Sequence, residues 1–220
     1  MLTKLLRIII SILFVPACVA FTLSFYDNLS FIKIISESQF IFILGMLSYS
    51  IMHLLLFKLN FLYVVGHEAM HAISTLFSGG KVTGMKVSDK EGSVKTTTPN
   101  FFVVLAPYLV PIYTVLLAIL YFLLSFFTDV ARFSGHFIFF AGFTLMFHLS
   151  YTAESIREKQ SDLIKTGYLF SLSLIYIANL IIVFAILSFL FKEASFVSFI
   201  SGSCQKTKDF YYYLWRQLFL

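Results

Sequence analysis

Residues 66–72 read Gly66-His67-Glu68-Ala69-Met70-His71-Ala72, and they lie inside an apolar run over residues 61–77. Residues four apart share one face of an α-helix, so His67 and His71 can present two imidazoles to one metal ion. Glu68 is not expected to be a ligand; its carboxylate can take a proton from a water molecule at the metal and pass it to a leaving amine. This H-E-x-x-H pattern is typical of zinc hydrolases and predicts a zinc ion held by His67 and His71.

Two histidines and a glutamate can also form a hydrogen-bonded cluster without a metal. Here the motif is flanked by apolar residues that include Val64, Val65 and Ile73. Burying three polar groups among such residues is costly unless they are paired or bind a metal. The surroundings therefore favour the zinc site.

The composition places the chain among membrane proteins. Of its 220 residues, 59% are hydrophobic and only 12% are charged, unlike a soluble domain. A helix needs about 20 apolar residues to span a bilayer. Six apolar runs stand out, at 5–25, 40–57, 61–77, 101–127, 135–152 and 168–191. We therefore predict an all-α polytopic membrane protein with about six transmembrane helices, the first of them retained rather than cleaved as a signal peptide.

Charge and cysteine usage exclude other classes of protein. The net charge of +5 comes from lysines and arginines at the ends of the apolar runs, where they meet lipid headgroups. No soluble segment carries a basic stripe with interleaved aromatic residues, so we expect no nucleic-acid partner. Cys18 and Cys204 are far apart in sequence, which argues against a disulfide framework and against a cysteine metal site.

Several connecting segments have patterns of their own. The break at residues 58–60 is very short, so residues 40–77 form either two spanning helices with a tight turn or one span followed by a helix that crosses only partly. A short interfacial helix is predicted near residues 31–35. The aromatic and basic tail at 192–220 is too broken to span and is predicted to lie at the headgroups.

A small β-hairpin is predicted directly after the motif helix. Ser78-Gly79-Gly80 suits a helix C-terminus. Two stretches rich in Val and Thr follow, at 81–87 and 93–98, with a Gly-containing turn between them. A plain polar loop is the simpler alternative. A hairpin at this place could hold an unwound substrate segment by strand addition.

The stretch from Gly66 to about Thr98 resembles the site-2 protease family of intramembrane zinc metalloproteases. The resemblance rests on the His67-Glu68-Ala69-Met70-His71-Ala72 motif, on Gly79-Gly80-Lys81-Val82-Thr83-Gly84 and on the short hairpin. It is closest to the small bacterial members that lack an inserted PDZ domain. It implies a zinc site within the bilayer and substrates that are themselves transmembrane segments. Ala106-Pro107 looks like an element of the helix after the hairpin in that family, although a simple kink would explain this proline equally well.

A catalytic zinc site usually has three protein ligands, so a third must come from later in the chain. The candidates are Asp162, His148, Glu154 and His136. In the family the third ligand is an aspartate, often followed by glycine, and this chain has no Asp-Gly. Ser161-Asp162 resembles the corresponding segment of the small members, so we predict Asp162, with His148 as the alternative. A helix N-cap would also explain Asp162.

These observations predict one membrane-embedded domain over residues 1–220, with a catalytic core at 39–191 and the hairpin at 79–100. The predicted activity is zinc-dependent hydrolysis of peptide bonds in or near transmembrane segments. A silent peptidase-like scaffold and a zinc hydrolase of a non-peptide substrate are the alternatives. Intact Glu68 argues against the first alternative and the hairpin against the second. Asn100, Thr152 and Asn179 are unranked candidates for donors to the oxyanion.

The expected location is a bacterial cell membrane, as an integral multi-pass protein. The 16 lysines and arginines divide evenly between the two sides of a six-span topology, so they give no orientation. Resemblance to the family would place the hairpin on the cytoplasmic side. Neither the substrate nor the oligomeric state can be predicted from the sequence.

Overall fold

The computed structural model describes residues 2–29, 35–88, 91–98 and 100–219. This part of the chain is mostly helical and carries a small two-stranded antiparallel sheet. The elements in order are α1 (Leu2–Leu29), α2 (Glu37–Ile51, continued by a π-helical turn at Met52–Leu56), α3 (Asn60–Phe77), β1 (Val82–Val87), β2 (Gly92–Thr96), α4 (Phe101–Leu109), α5 (Ile112–Leu124), a 3-10 turn (Val130–Phe133), α6 (Ser134–Arg157), α7 (Ser161–Thr166), α8 (Tyr168–Leu190) and α9 (Phe196–Phe219). The interfacial helix predicted near 31–35 falls on residues 31–34, which lie outside the described residues.

Four helical segments among the described residues are long and apolar enough to cross a membrane. They are Leu5–Leu29, Glu37–Leu56, Val130–Arg157 and Tyr168–Leu190. A fifth is added if α4 and α5 form one broken span. The motif helix α3 is not among them, because its 18 residues include both histidines and the glutamate of the motif. Six spans are therefore not confirmed.

The apolar run at 101–127 does not form one straight helix. α4 and α5 are bent by 69° at a short break. The break lies at Val110 and Pro111, where the backbone leaves the helical conformation. Pro107 lies inside α4, which continues beyond it, since the Val110 N–H still donates to the Ala106 carbonyl at 3.1 Å.

The contacts divide the chain into two compact units. One comprises Met1–Ile35 with Leu163–Leu220, and the other comprises Ser36–Asp162. The single domain predicted for residues 1–220 stays a prediction. The second unit contains the motif helix, the hairpin and every candidate for the third ligand.

In the first unit, α9 packs against α1. Ser24 Oγ donates to the Phe199 carbonyl at 2.9 Å, and Lys206 pairs with Asp27 at 3.0 Å. The tail at 192–220, predicted to be broken, therefore contains one continuous helix. That helix is not among the candidate spans of the described residues. Its place at the headgroups stays a prediction.

In the second unit, α2 and α6 cross with their backbones in contact. A Cβ atom at Gly45 would lie 2.0 Å from the Phe139 carbonyl oxygen, and one at Gly142 would lie 2.2 Å from the Phe42 carbonyl oxygen. Glycine at these positions lets the two backbones approach closely and make many van der Waals contacts. Such contacts help helices to associate in a bilayer, where there is no hydrophobic driving force between them. The crossing places the C-terminal half of α6 beside the motif helix.

Gly142→Ala is expected to destabilise the protein by about 1–3 kcal/mol, because the added methyl group would overlap the Phe42 carbonyl and force the helices apart. Gly135→Ala is the matched control in the same helix, since its nearest neighbouring atom would be 3.8 Å away. Thermal unfolding in one detergent compares the two variants. Equal melting temperatures would contradict the close crossing.

The predicted helix end and hairpin are confirmed. The helix ends at Phe77, and Gly79 adopts a φ of 74°, a conformation that glycine reaches without strain. β1 and β2 pair through Met85 with Val94 and through Val87 with Gly92. Residues 89–90, between the two strands, lie outside the described residues.

Candidate metal centre

The motif helix brings the two histidines together as their spacing predicts. His67 and His71 lie one turn apart on α3, and their rings meet edge to face. Their Nε2 atoms are 3.2 Å apart. Both side chains are largely buried, so these nitrogens face each other away from bulk water.

Asp162 reaches the same point from a distant part of the chain. α6 ends at Arg157, and Lys159 takes a left-handed conformation with a φ of 51°, which turns the chain before α7 begins at Ser161. Asp162 Oδ2 lies 3.7 Å from His67 Nε2 and 3.5 Å from His71 Nε2. Among the described residues, these three form the group of His, Cys, Asp and Glu side chains that could hold a metal ion.

The separations fit a zinc site. In a tetrahedral site with bonds of about 2.0–2.1 Å, donor atoms lie roughly 3.3–3.4 Å apart. The three distances of 3.2, 3.5 and 3.7 Å bracket that value. Two imidazole nitrogens and one carboxylate oxygen are also ligands that zinc accepts, and three protein ligands leave one position open. Their role as ligands stays a prediction.

Hydrogen bonds on the far side of each ring fix its orientation. His71 Nδ1 lies 2.8 Å from the Val103 carbonyl oxygen. A carbonyl can only accept, so Nδ1 carries the proton and Nε2 presents a lone pair. His67 Nδ1 lies 3.2 Å from the Tyr63 hydroxyl, which lies 2.7 Å from Ser155 Oγ. When the Tyr63 hydroxyl donates its proton to Ser155 Oγ, its oxygen accepts from His67 Nδ1–H. His67 Nε2 then presents a lone pair, as His71 Nε2 does.

The electrostatics of the cluster call for a cation. Two imidazole nitrogens and a carboxylate oxygen, all with lone pairs, converge within 3.7 Å, and a metal ion or a shared proton among them offsets the repulsion between these lone pairs. Burial alone would raise the pKa of Asp162, but hydrogen bonds from His67 and His71 and their charge hold this pKa well below its usual range. Asp162 is therefore ionised near neutral pH.

Glu68 lies beside the cluster at the wall of a polar cavity of about 520 Å³. Its side chain is largely buried. Polar residues supply most of the lining, and they come from α3 and the break before it, from the end of α6, from the turn that follows α6 and from the start of α7: Lys58, Asn60, Tyr63, His67, Glu68, Tyr151, Glu154, Ser155, Glu158, Gln160, Ser161 and Asp162. The cavity can therefore hold water and a polar ligand next to the general-base candidate Glu68 and to two of the candidate ligands, His67 and Asp162.

The hairpin reaches the same cavity through Gly92, at the start of β2. A Cβ atom there would lie 2.4 Å from Glu68 Cγ, 2.6 Å from Glu68 Oε1 and 2.7 Å from Val64 Cγ1. The backbone of β2 is thus packed directly on the carboxylate. Only glycine fits this position without moving Glu68 or the hairpin.

Gly92→Ala is expected to lower cleavage of a test substrate by about 10–10²-fold while zinc content stays at the wild-type level, since a displacement near 1 Å at a reacting group can cost that much. Gly84→Ala, in the neighbouring strand, is the control, because its nearest neighbour would be 4.0 Å away. Cleavage rates and metal content of both variants test this. A fully active Gly92→Ala would show that β2 does not position Glu68.

The other candidates for the third ligand lie elsewhere. Glu154 bonds to Lys58 and accepts from His53 Nε2 at 3.2 Å, which satisfies this carboxylate away from the histidine pair. His136 is exposed in the first turn of α6. His148, the predicted alternative, lines a separate cavity of about 20 Å³ next to His67 and is not in the group of converging ligand atoms.

The three oxyanion candidates do not line the polar cavity. Asn100 caps α4 by accepting from the Val103 N–H at 2.9 Å, Thr152 is buried, and Asn179 donates to the Ile175 carbonyl within α8. The chemically useful residues that the sequence analysis missed are Tyr63 and Ser155. Tyr63 precedes His67 by four residues, the same spacing that links His67 to His71, so helical periodicity could have placed it on this face.

Comparison of the chain with protein-family models, with curated proteins and with solved structures finds no match. The chemistry of the site must therefore be inferred from its own residues.

Proposed function

We propose that this protein is an intramembrane zinc peptidase of the site-2 protease type, which hydrolyses peptide bonds in or near transmembrane segments. The observation that carries the proposal is the convergence of His67, His71 and Asp162 within 3.7 Å beside Glu68. The four candidate spans support a place in the membrane. We further propose that α3 and the bent pair α4–α5 also lie in the bilayer, which would give six membrane segments.

In this mechanism the chain's residues hold the metal and move a proton. His67 and His71 would bind zinc through Nε2 and Asp162 through its carboxylate. The zinc ion, when bound, makes a water molecule more acidic and polarises the scissile carbonyl. Glu68 takes a proton from the attacking water, the remaining hydroxyl joins the carbonyl carbon, and Glu68 delivers the proton to the nitrogen as the C–N bond breaks.

The cavity and the hairpin account for how a substrate could be handled. A transmembrane helix hides its backbone in its own hydrogen bonds and must unwind before a peptide bond can react. The described sheet has two strands, so each strand keeps one unpaired edge that an unwound segment could join. Because Gly92 packs on Glu68, a segment joined to this hairpin would lie close to the general base.

Purified wild-type protein in lipid vesicles, incubated with single-span test helices, tests the proposal. One helix carries Gly and Asn near its middle, and a control helix has Leu in their place. We expect mass spectrometry to locate a cut inside the first helix and little or none in the second, which resists unwinding. A lack of product from every test helix, with zinc bound, would favour the scaffold or a non-peptide hydrolase.

A further inference from the structure

The carbonyl group of Val103, which holds His71, is unusual for a carbonyl inside a helix. In an α-helix this group accepts from the N–H four residues later. For Val103 that residue is Pro107, which has no N–H. His71 Nδ1 lies 2.8 Å from the same oxygen. The side chain of the motif helix thus occupies the place that a proline has left open.

The surroundings make this bond necessary. Val103 is only 3% exposed and Pro107 is buried, so water does not satisfy the carbonyl. A buried carbonyl without a partner costs about 1–3 kcal/mol. The other polar group of the same peptide unit, the Val104 N–H, donates to the Asn100 carbonyl at 3.0 Å. The peptide plane is therefore held on both sides, and its oxygen points at His71.

A simple kink does not explain Pro107. The 69° bend lies at Val110 and Pro111, and α4 continues past Pro107 to Leu109. A proline ring also crowds the carbonyl four residues earlier and tilts it away from the helix axis. Pro111 accounts for the break, whereas Pro107 changes one hydrogen bond, and that bond belongs to a residue of the candidate metal centre.

We propose that Pro107 is a positioning residue for the metal centre. By lacking an N–H it reserves the Val103 carbonyl for His71 Nδ1–H, and this fixes the tautomer in which the lone pair of His71 Nε2 faces His67 and Asp162. Partners of this kind on ligating histidines orient the ring and raise metal affinity by about 10–100-fold. The inference rests on the proposed zinc site.

The experiment compares three forms of the full chain with the wild type. Pro107→Ala supplies an N–H that can compete for the Val103 carbonyl. Lactic acid in place of Pro107 has neither the ring nor the N–H, so it separates the effect of the missing donor from the effect of the ring. Pro111→Ala is the control at the proline outside the bond. Zinc affinity is measured by chelator competition, and the ¹⁵N resonance of His71 Nδ1 is measured in metal-free protein.

We expect Pro107→Ala to bind zinc about tenfold more weakly than wild type and to shift the His71 Nδ1 resonance. The lactic acid form and Pro111→Ala should stay close to wild type in both measurements. Wild-type affinity together with an unchanged resonance in Pro107→Ala would overturn the inference and leave the zinc site standing. Equal losses in Pro107→Ala and the lactic acid form would also overturn it, because the ring would then be responsible. Wild-type protein that binds no zinc would overturn the proposed function and this inference together.

Discussion

Glu68→Gln is expected to lower cleavage by about 10²–10⁴-fold and to leave zinc content unchanged. Glutamine fills the same space beside Gly92 but cannot take a proton, so only the transfer between water and the leaving nitrogen is lost. The hydrogen bonds that orient His67 and His71, to Tyr63 and to the Val103 carbonyl, do not involve Glu68 and are expected to remain. Cleavage of a test helix and metal analysis of the same preparation measure the two effects separately.

Glu158→Gln is the matched control for that prediction. Glu158 lines the same cavity but is exposed and lies outside the cluster. Glu158→Gln removes one carboxylate from the cavity wall, as Glu68→Gln does. If its cleavage stays within a few-fold of wild type, the loss of a carboxylate anywhere in the cavity does not explain the effect of Glu68→Gln. If Glu68→Gln retained full activity or its full cellular role, the protein would be a scaffold that keeps a peptidase motif.

Asp162→Ala is expected to weaken zinc binding by more than about 100-fold and to abolish cleavage, because removal of a ligand should cost more than the loss of an outer hydrogen-bond partner. Without the carboxylate, the two histidines would have to hold the ion alone. Chelator competition on purified protein measures the change in affinity. The variant should remain folded, since Asp162 is partly exposed and lies near the start of a short helix.

Two comparisons sharpen the assignment of the third ligand. Asp129→Ala removes an exposed aspartate from the same unit and should bind zinc as the wild type does. Glu154→Gln should also keep its zinc, because Glu154 is engaged by Lys58 and His53. Normal zinc affinity in Asp162→Ala, with a loss in a His148 variant, would make His148 the third ligand.

The part of the site that is local in sequence could be predicted. His67, Glu68 and His71 lie within two turns of one helix, so their relative placement follows from helical periodicity alone. The hairpin and the break at Pro111 follow from glycine, proline and β-branched residues acting over short distances. Asp162 is different, since it lies more than ninety residues from His67, and only a resemblance singled it out.

The supporting contacts could not be predicted, because they depend on how distant helices pack. The bond from His71 to Val103 joins residues 32 apart in sequence, and the bond from Tyr63 to Ser155 joins residues 92 apart. The polar residues Tyr151, Glu154, Ser155 and Glu158 follow helical spacing along α6 and its end, a pattern that could have indicated a wet face. The number of spans stays a prediction, because the polar residues of α3 and the break between α4 and α5 leave four described helical segments, or five with the bent pair, that are long and apolar enough to cross a membrane.

The most direct test of the zinc peptidase proposal uses metal-depleted wild-type protein in vesicles with a single-span test helix. One half of the preparation receives one equivalent of zinc, and the other half receives none. We expect the zinc-restored half to cut the helix within its apolar stretch and the depleted half to leave it intact. Equal cleavage by both halves, or no cleavage by protein that has taken up zinc, would contradict the proposed function.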